Sequence, residues 1–164
     1  MSWSDRRFFL LGLAALPLAA CGFTPAYGPE GGASALRGRV RVQDPATKQD
    51  FDFVARLDSR LGTATDPAYD LSFSLSATRQ SGGITATNVT TRYTLHGSAN
   101  WTLTERKSGE RVAGGTVRAF ASWSTTGTTV AGLAAEDDAA RRLSIMLADQ
   151  VLLRLVAAAP TLTP

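Results

Sequence analysis

The clearest regularity in the chain has a period of two. Tyr69, Leu71, Phe73 and Leu75 alternate with Asp70, Ser72, Ser74 and Ser76, which predicts a strand with one packed face and one polar face. Thr87 to Thr104 repeats the pattern, with Tyr93, Leu95, Trp101 and Leu103 on one parity joined by small Gly97 and Ala99. Arg106-Lys107-Ser108-Gly109 reads as a turn that returns the chain through Val112 to Trp123. These are three consecutive antiparallel strands. Upstream, Arg37 to Gln43 sets Val40 and Val42 against Arg39 and Arg41 and stops at Asp44-Pro45, a shorter half-exposed strand.

Two segments change to a helical period. Over Thr47 to Leu61 the spacing places Phe51, Val54, Leu57 and Leu61 on one face, with Asp50, Asp58 and Ser59 mostly opposite and Gly62 as the stop. Leu133 to Ala158 predicts a long helix closed by Pro160. Leu143, Leu147, Val151 and Leu155 make one stripe, while Ile145, Leu152 and Val156 make a second on nearly the opposite side. A helix apolar on two faces must bury both. Either it is a core helix covered on both sides within the domain, or one face packs on the sheet and Ile145, Leu152 and Val156 meet a partner.

The order strand, helix, three strands, helix predicts an α+β fold: a two-layer sandwich in which a mostly antiparallel four-stranded sheet packs with two helices. It occupies one domain over residues 36–160. Before it, Thr24 to Ser34 holds Pro25, Gly28, Pro29, Gly31 and Gly32, a composition expected to form a tether instead of helix or strand.

The opening segment changes the picture from a soluble domain to an exported one. Arg6 and Arg7 form a positive n-region, and Phe8 to Ala20 is an apolar run interrupted only by Gly12 and Pro17. That run is too short to span a bilayer and reads as an export signal. Leu18-Ala19-Ala20-Cys21 resembles the lipobox of bacterial lipoproteins, in which the cysteine thiol takes a diacylglyceryl group after cleavage and the freed amine is acylated. The expected division is therefore a cleaved signal over residues 1–20, a lipidated N-terminus and tether over 21–35, and the domain. Cys21 is the only cysteine, so no disulfide forms within the chain. Acyl chains contribute about 0.8 kcal/mol per buried methylene, so a multiply acylated Cys21 anchors the chain to the membrane. Arg6-Arg7-Phe8-Phe9-Leu10 also resembles a twin-arginine core, which leaves the twin-arginine and Sec routes both open. Gly22, where Asp would retain a lipoprotein at the inner membrane, resembles the pattern of lipoproteins forwarded to the outer membrane.

Cys21-Gly22-Phe23-Thr24-Pro25-Ala26-Tyr27-Gly28 resembles the mature start of the lipopolysaccharide-assembly lipoproteins of the LptE family, in its Cys-Gly-Phe opening and Pro-x-Tyr-Gly continuation. The element order agrees with that family along most of the mature chain. The resemblance implies a protein at the periplasmic face of the outer membrane that sits inside the LptD β-barrel and assists lipopolysaccharide insertion. An auxiliary lipoprotein of a periplasmic lipid-transport ABC system is the alternative.

Charge and chemistry narrow the choice further. The formal net charge of +3 falls to +2 once Asp5, Arg6 and Arg7 leave with the signal, too weak for a nucleic-acid partner. The one histidine, His96, lies in a strand pattern with no neighbouring Cys or second His, so neither a metal nor a cofactor is expected beyond the lipid on Cys21. No nucleophile and base are paired, which argues against an enzyme. Glu136, Asp137 and Asp138 fall in the first turns of the predicted helix, where acids favour the positive dipole end. Gly82-Gly83 and Gly114-Gly115 lack the Lys and strand-to-helix setting of a phosphate loop and read as turn and bulge residues.

Two surfaces stand out for binding. Arg106, Lys107 and Arg111 surround a hairpin tip, and with Arg92 and Arg118 on the flanking strands they would meet lipopolysaccharide phosphates through charge-assisted hydrogen bonds. Glu105 and Glu110 among them make a solvated turn the competing reading. Ser122 to Thr129, interrupted by Trp123 and Gly127, reads as a hydroxyl-rich loop facing solvent or a polar barrel lumen.

Overall fold

A computed structural model describes residues 28, 31–84, 90–125 and 128–162. The signal segment, Cys21 and most of the expected tether lie outside the described residues. The elements run α1 (Gly32–Leu36), β1 (Val40–Val42), α2 (Lys48–Leu61), β2 (Tyr69–Ile84), β3 (Thr90–Glu105), β4 (Arg111–Ser124) and α3 (Thr129–Ala158), ending in a 3₁₀ turn at Ala159–Thr161. The sheet is mixed, ordered β1-β2-β3-β4: β1 pairs parallel with β2, and the three long strands form an antiparallel meander. One face carries the helices and the other is open, so the α+β two-layer expectation holds.

Alternation decides which face is covered. On β3, Tyr93, Leu95, Ala99, Trp101 and Leu103 point at the helices, and Val117, Ala121 and Trp123 do the same from β4. Tyr69 and Leu71 complete the layer from β2, while Val40 and Val42 flank exposed Arg41 on β1. Thr47 begins α2 with a capping box: its hydroxyl accepts from the Asp50 N–H at 3.1 Å, and Asp50 accepts from the Thr47 N–H at 2.9 Å.

The buried stripe of α2 is Phe53, Val54, Leu57 and Leu61, and Phe51 is 62% exposed. This corrects the face drawn through Phe51. At about 100° per residue the two phenylalanines sit on opposite flanks of the Val54-Leu57-Leu61 stripe at similar angles from its centre, roughly 85° for Phe51 and roughly 75° for Phe53, so contact with the sheet decides which is buried. Phe53 is fully buried and packs on Phe73 with ring centroids 4.7 Å apart.

Three other expectations change. The tether ends earlier than its composition suggests, because Gly32–Leu36 forms a helical turn whose Ala33 and Leu36 are buried. Two apolar side chains at helical spacing outweigh the helix-poor glycines once they have a core to enter. Second, α3 begins at Thr129, capped by the Thr128 hydroxyl, which accepts from the Ala131 N–H. Glu136, Asp137 and Asp138 therefore lie beyond the first turn and do not meet the dipole end. They pair sideways instead, with Arg79, Lys48 and Arg142 respectively. Third, Ser122–Ser124 belongs to β4 and Thr129 to α3, so four of the six described residues in the hydroxyl-rich run are in regular structure; residues 126 and 127 lie outside the described residues.

The two-faced helix is covered on both sides. Leu143 packs toward the sheet, and the sector containing Ile145 is directed at α2. Arg141 and Asp149 share a row with Ile145 at i±4 and pair with Asp52 and Arg56 of α2 at 3.8 and 2.7 Å. Leu152 is 5% exposed within the core cluster, Val156 packs against that cluster and Ile145 is half-buried. A free partner face at Ile145, Leu152 and Val156 is thus not what the fold leaves; α2 occupies it. Thr129–Thr161 is apolar and long enough to suit a membrane span, but that apolar surface is what packs the domain.

α3 comes close to the sheet over Gly97. A Cβ there would stand 2.8 to 3.1 Å from the Leu143 side-chain carbons, and Leu143 is buried. Gly97→Val is expected to cost about 1–3 kcal/mol through overpacking, read as a lower urea midpoint with an unchanged slope. A wild-type midpoint would show that the helix rides higher than this contact implies.

Candidate functional site

The open face of the sheet is polar along its whole length. Ser72, Ser74 and Ser76 of β2, Thr94, His96, Ser98, Asn100 and Thr102 of β3, and Thr116 and Ser122 of β4 all occupy the parity opposite the core. Their side chains bond across strands: Ser76 to Ser98 at 2.9 Å, Thr94 to Ser122 at 2.8 Å, and Thr116 donating to Asn100 Oδ1 at 2.5 Å. Phe120, 65% exposed, is the main apolar exception and lies against the His96 ring, centroids 6.2 Å apart. His96 is a surface residue in a hydroxyl field. Among the described residues no group of three or more His, Cys, Asp or Glu side chains is placed to hold a metal.

The five cations picked out by the sequence do not form one cluster. Arg106 and Lys107 sit in the β3–β4 turn and Arg111 starts β4, so these three are together. Arg118 pairs in register with Ser98, halfway up the sheet, and Arg92 pairs with Ser124 near its far end. With Ser98 six positions from Arg92, those two arginines are about 20 Å apart along the strand direction. They form a sparse strip along the open face, not a single phosphate clamp.

Within the turn the charges differ in availability. Arg106 Nε lies 3.2 Å from Asp70 Oδ2, and Arg41 Nε lies 3.4 Å from Asp70 Oδ1, so one carboxylate serves two guanidinium groups. The Ser108 hydroxyl donates to Glu105 at 2.6 Å. Among the described residues, Lys107 and Arg111 have no carboxylate within ion-pair distance. The Arg111 guanidinium folds over Gly114, where a Cβ would meet its Nη2 at 2.5 Å and the Trp101 carbonyl at 2.9 Å. Gly114 is thus a clearance for Arg111 and not the bulge. The register shift falls between Leu103 and Thr104, opposite Arg111 to Ala113, and Gly114 and Gly115 pair regularly with Thr102 and Trp101. Arg111 closes one side of a shallow depression of about 430 Å³ that includes Ser72, Asn100 and Thr116.

This basic turn lies at the end of the domain where the chain enters. The Arg106 N–H donates to the Ala68 carbonyl, the Ala68 N–H to Arg39 and the Arg39 N–H to Leu36, the last residue of α1. Cys21 precedes Gly28 by seven residues, so at full extension a lipidated cysteine would lie within about 25 Å of Gly28. Neither the partial sharing of Asp70 nor this end-to-end placement is readable from residue spacing, because both depend on which strand ends the meander brings together.

A single α+β domain, with helices on one face of a four-stranded mixed sheet and a polar open face, defines the class. The LptE family model, described as lipopolysaccharide-assembly, matches residues 36–155. The chain belongs to that family. Solved structures share the fold. A protein from Caulobacter crescentus described as a lipoprotein superposes with a TM-score of 0.66 at 23% identity, covering 81% of this chain and 98% of that one. Rare lipoprotein B from Shewanella oneidensis gives 0.56 at 15% identity, covering 75% and 95%. A minor lipoprotein from Acinetobacter baumannii gives 0.55 at 15%, covering 73% and 89%. No curated protein matches the chain.

Proposed function

We propose that this chain is an outer-membrane lipoprotein, anchored through Cys21 on the periplasmic face, that partners an LptD-like β-barrel in lipopolysaccharide transport and assembly without itself catalysing a reaction. Membership of the lipopolysaccharide-assembly family over residues 36–155 carries this reading. The open sheet face adds a physical reason. A field of Ser, Thr and Asn side chains suits the polar, water-filled interior of a barrel, where an apolar face would not. The available cations Lys107 and Arg111, with Arg106, supply anion contacts at the lipid-anchored end, and Arg118 and Arg92 extend them along the face.

Anion binding at the turn has a direct test. Replacing Arg106, Lys107 and Arg111 together by Ser is expected to weaken binding of purified lipopolysaccharide several-fold at low ionic strength, with the difference shrinking as salt screens the contacts. Because the three side chains are exposed, the unfolding midpoint should stay near that of the wild type. Equal affinity of variant and wild type at low salt would leave the turn as solvated surface.

A further inference from the structure

We infer that the end of the domain at which the chain enters docks on anionic phospholipid headgroups, in the leaflet that holds the Cys21 lipid, and so stands the sheet upright on the membrane. This inference rests on the lipidated Cys21 proposed above. Gly28 comes seven positions after Cys21 and is already fixed to α1, its carbonyl accepting from the Gly31 N–H and from the Ser34 hydroxyl, each at 2.9 Å. The tether therefore holds this end within about 25 Å of the acylated residue. That reach exceeds the screening length of about 8 Å at physiological ionic strength, so the lipid alone leaves the domain free to lift off or turn. The charge that this end presents to the headgroups decides its orientation.

The surplus positive charge of the described residues is gathered here. The entry end comprises α1 with the chain to Arg41, α2 from Asp58 through the loop to Asp70, the β3–β4 turn from Glu105 to Arg111, and α3 from Arg154 onward. It holds eight Lys and Arg against five Asp and Glu, a surplus of three, while the rest of the described residues hold seven of each and balance. Pairing sharpens the contrast. Away from this end Lys48, Arg56, Arg79, Arg141 and Arg142 each meet a carboxylate. At it, Arg41 and Arg106 share Asp70, and Arg37, Arg39, Arg60, Lys107, Arg111 and Arg154 have no carboxylate within ion-pair distance among the described residues.

Backbone contacts bring these cations onto one surface. The Gly38 N–H donates to the Leu61 carbonyl at 2.7 Å, and Arg37 lies over Gly62, where a Cβ would stand 3.7 Å from its Cγ, which sets Arg37 beside Arg60. The Arg39 carbonyl accepts from the Ala68 and Tyr69 N–H groups and the Ala68 carbonyl accepts from the Arg106 N–H, so the row continues to Lys107. The pairs Lys48 with Asp137 and Arg56 with Asp149 show α2 and α3 running the same way, and Arg60 and Arg154 each follow the second pair by about one helical turn. Guanidinium and ammonium groups arranged this way meet headgroup phosphates through charge-assisted hydrogen bonds. The attraction to an anionic leaflet acts within about a Debye length of its surface, so it draws this end down and holds it there. The acyl chains supply affinity and the basic surface supplies orientation, the two signals of a lipid-anchored protein. Because β2 rises from this end, over the 16 residues from Tyr69 to Ile84, docking sets the strands along the membrane normal and leaves the polar face clear for a barrel in the same membrane.

The test uses the full-length lipidated protein reconstituted in vesicles of phosphatidylcholine, with and without phosphatidylglycerol. Cys21 is the only cysteine and its thiol is occupied by the lipid, so a nitroxide can be placed alone at Thr65→Cys, exposed at the entry end, or at Gln80→Cys, exposed near the far end of β2. With a nickel chelate carried on the headgroups, relaxation of the label at position 65 is expected to be roughly threefold faster or more when phosphatidylglycerol is present, and to lose that gain at high salt. The label at position 80 should relax slowly in both vesicles. Arg37→Gln, Arg39→Gln and Arg60→Gln together should abolish the phosphatidylglycerol effect at an unchanged unfolding midpoint; should that variant fail to fold, the lipid and salt dependence of the unsubstituted surface decides. Equal relaxation with and without phosphatidylglycerol, equal relaxation at positions 65 and 80, or indifference to salt would overturn the docking while leaving the anchor standing. An intact mass without an acyl group on Cys21 would overturn anchor and docking together.

Discussion

Replacing Leu152 by Asp is expected to unfold the domain, or at least to remove about 3 kcal/mol of its stability. Leu152 is buried in the core on the side of α3 that faces α2, where no counterion is set to receive a carboxylate. The ion pairs on that side, Arg56 with Asp149 and Arg141 with Asp52, are already satisfied. A buried unpaired charge is among the few single changes able to exceed the usual 0.5–3 kcal/mol range. The thermal midpoint should fall by roughly 10 °C or more for a domain of this size. Leu153→Asp, one residue along, is the control, since Leu153 is 66% exposed and its replacement should stay within about 0.5 kcal/mol. A folded Leu152→Asp that merely lost its partner would reverse the assignment of this face to the core.

Cys21→Ser is expected to abolish fatty-acid labelling and release the protein from the membrane fraction. The thiol is the atom the lipobox chemistry requires, and a serine hydroxyl at that position cannot form the thioether. Loss of the acyl chains removes several kcal/mol of membrane affinity, at about 0.8 kcal/mol per methylene. The folded domain itself should survive, because among the described residues its buried apolar core runs from Ala33 onward. Undiminished labelling of the variant would place the lipid elsewhere or dispense with it.

Strand identities and the layer they form were legible because alternation is a local signal: Tyr69 to Leu75 and Tyr93 to Leu103 declare their buried parity without reference to neighbours. Helix faces were less so. Phe51 and Phe53 are equally apolar and flank the Val54, Leu57 and Leu61 stripe at similar angles, so the spacing does not choose between them; the Phe73 ring of β2, packed on Phe53, does. The start of α3 was masked by Gly132 and β-branched Thr129 and Val130, which are poor helix formers; the N-cap Thr128 was the available signal. What no local pattern could supply was the pairing between distant elements. Glu136 and Asp137 read as dipole partners until the fold sets Arg79 and Lys48 beside them. In the same way, the two apolar faces of α3 leave open whether α2 or another protein covers the second. The cations scattered by sequence between Arg92 and Arg118 become a strip only once β3 and β4 align.

The central claim is the partnership in lipopolysaccharide assembly, and native mass spectrometry of the full-length protein, extracted with detergent from its own membranes, tests it most directly. The expected result is a chain bearing acyl groups on Cys21, held one-to-one with a large outer-membrane β-barrel. Recovery of the lipidated chain with an inner-membrane transporter and no barrel would contradict it.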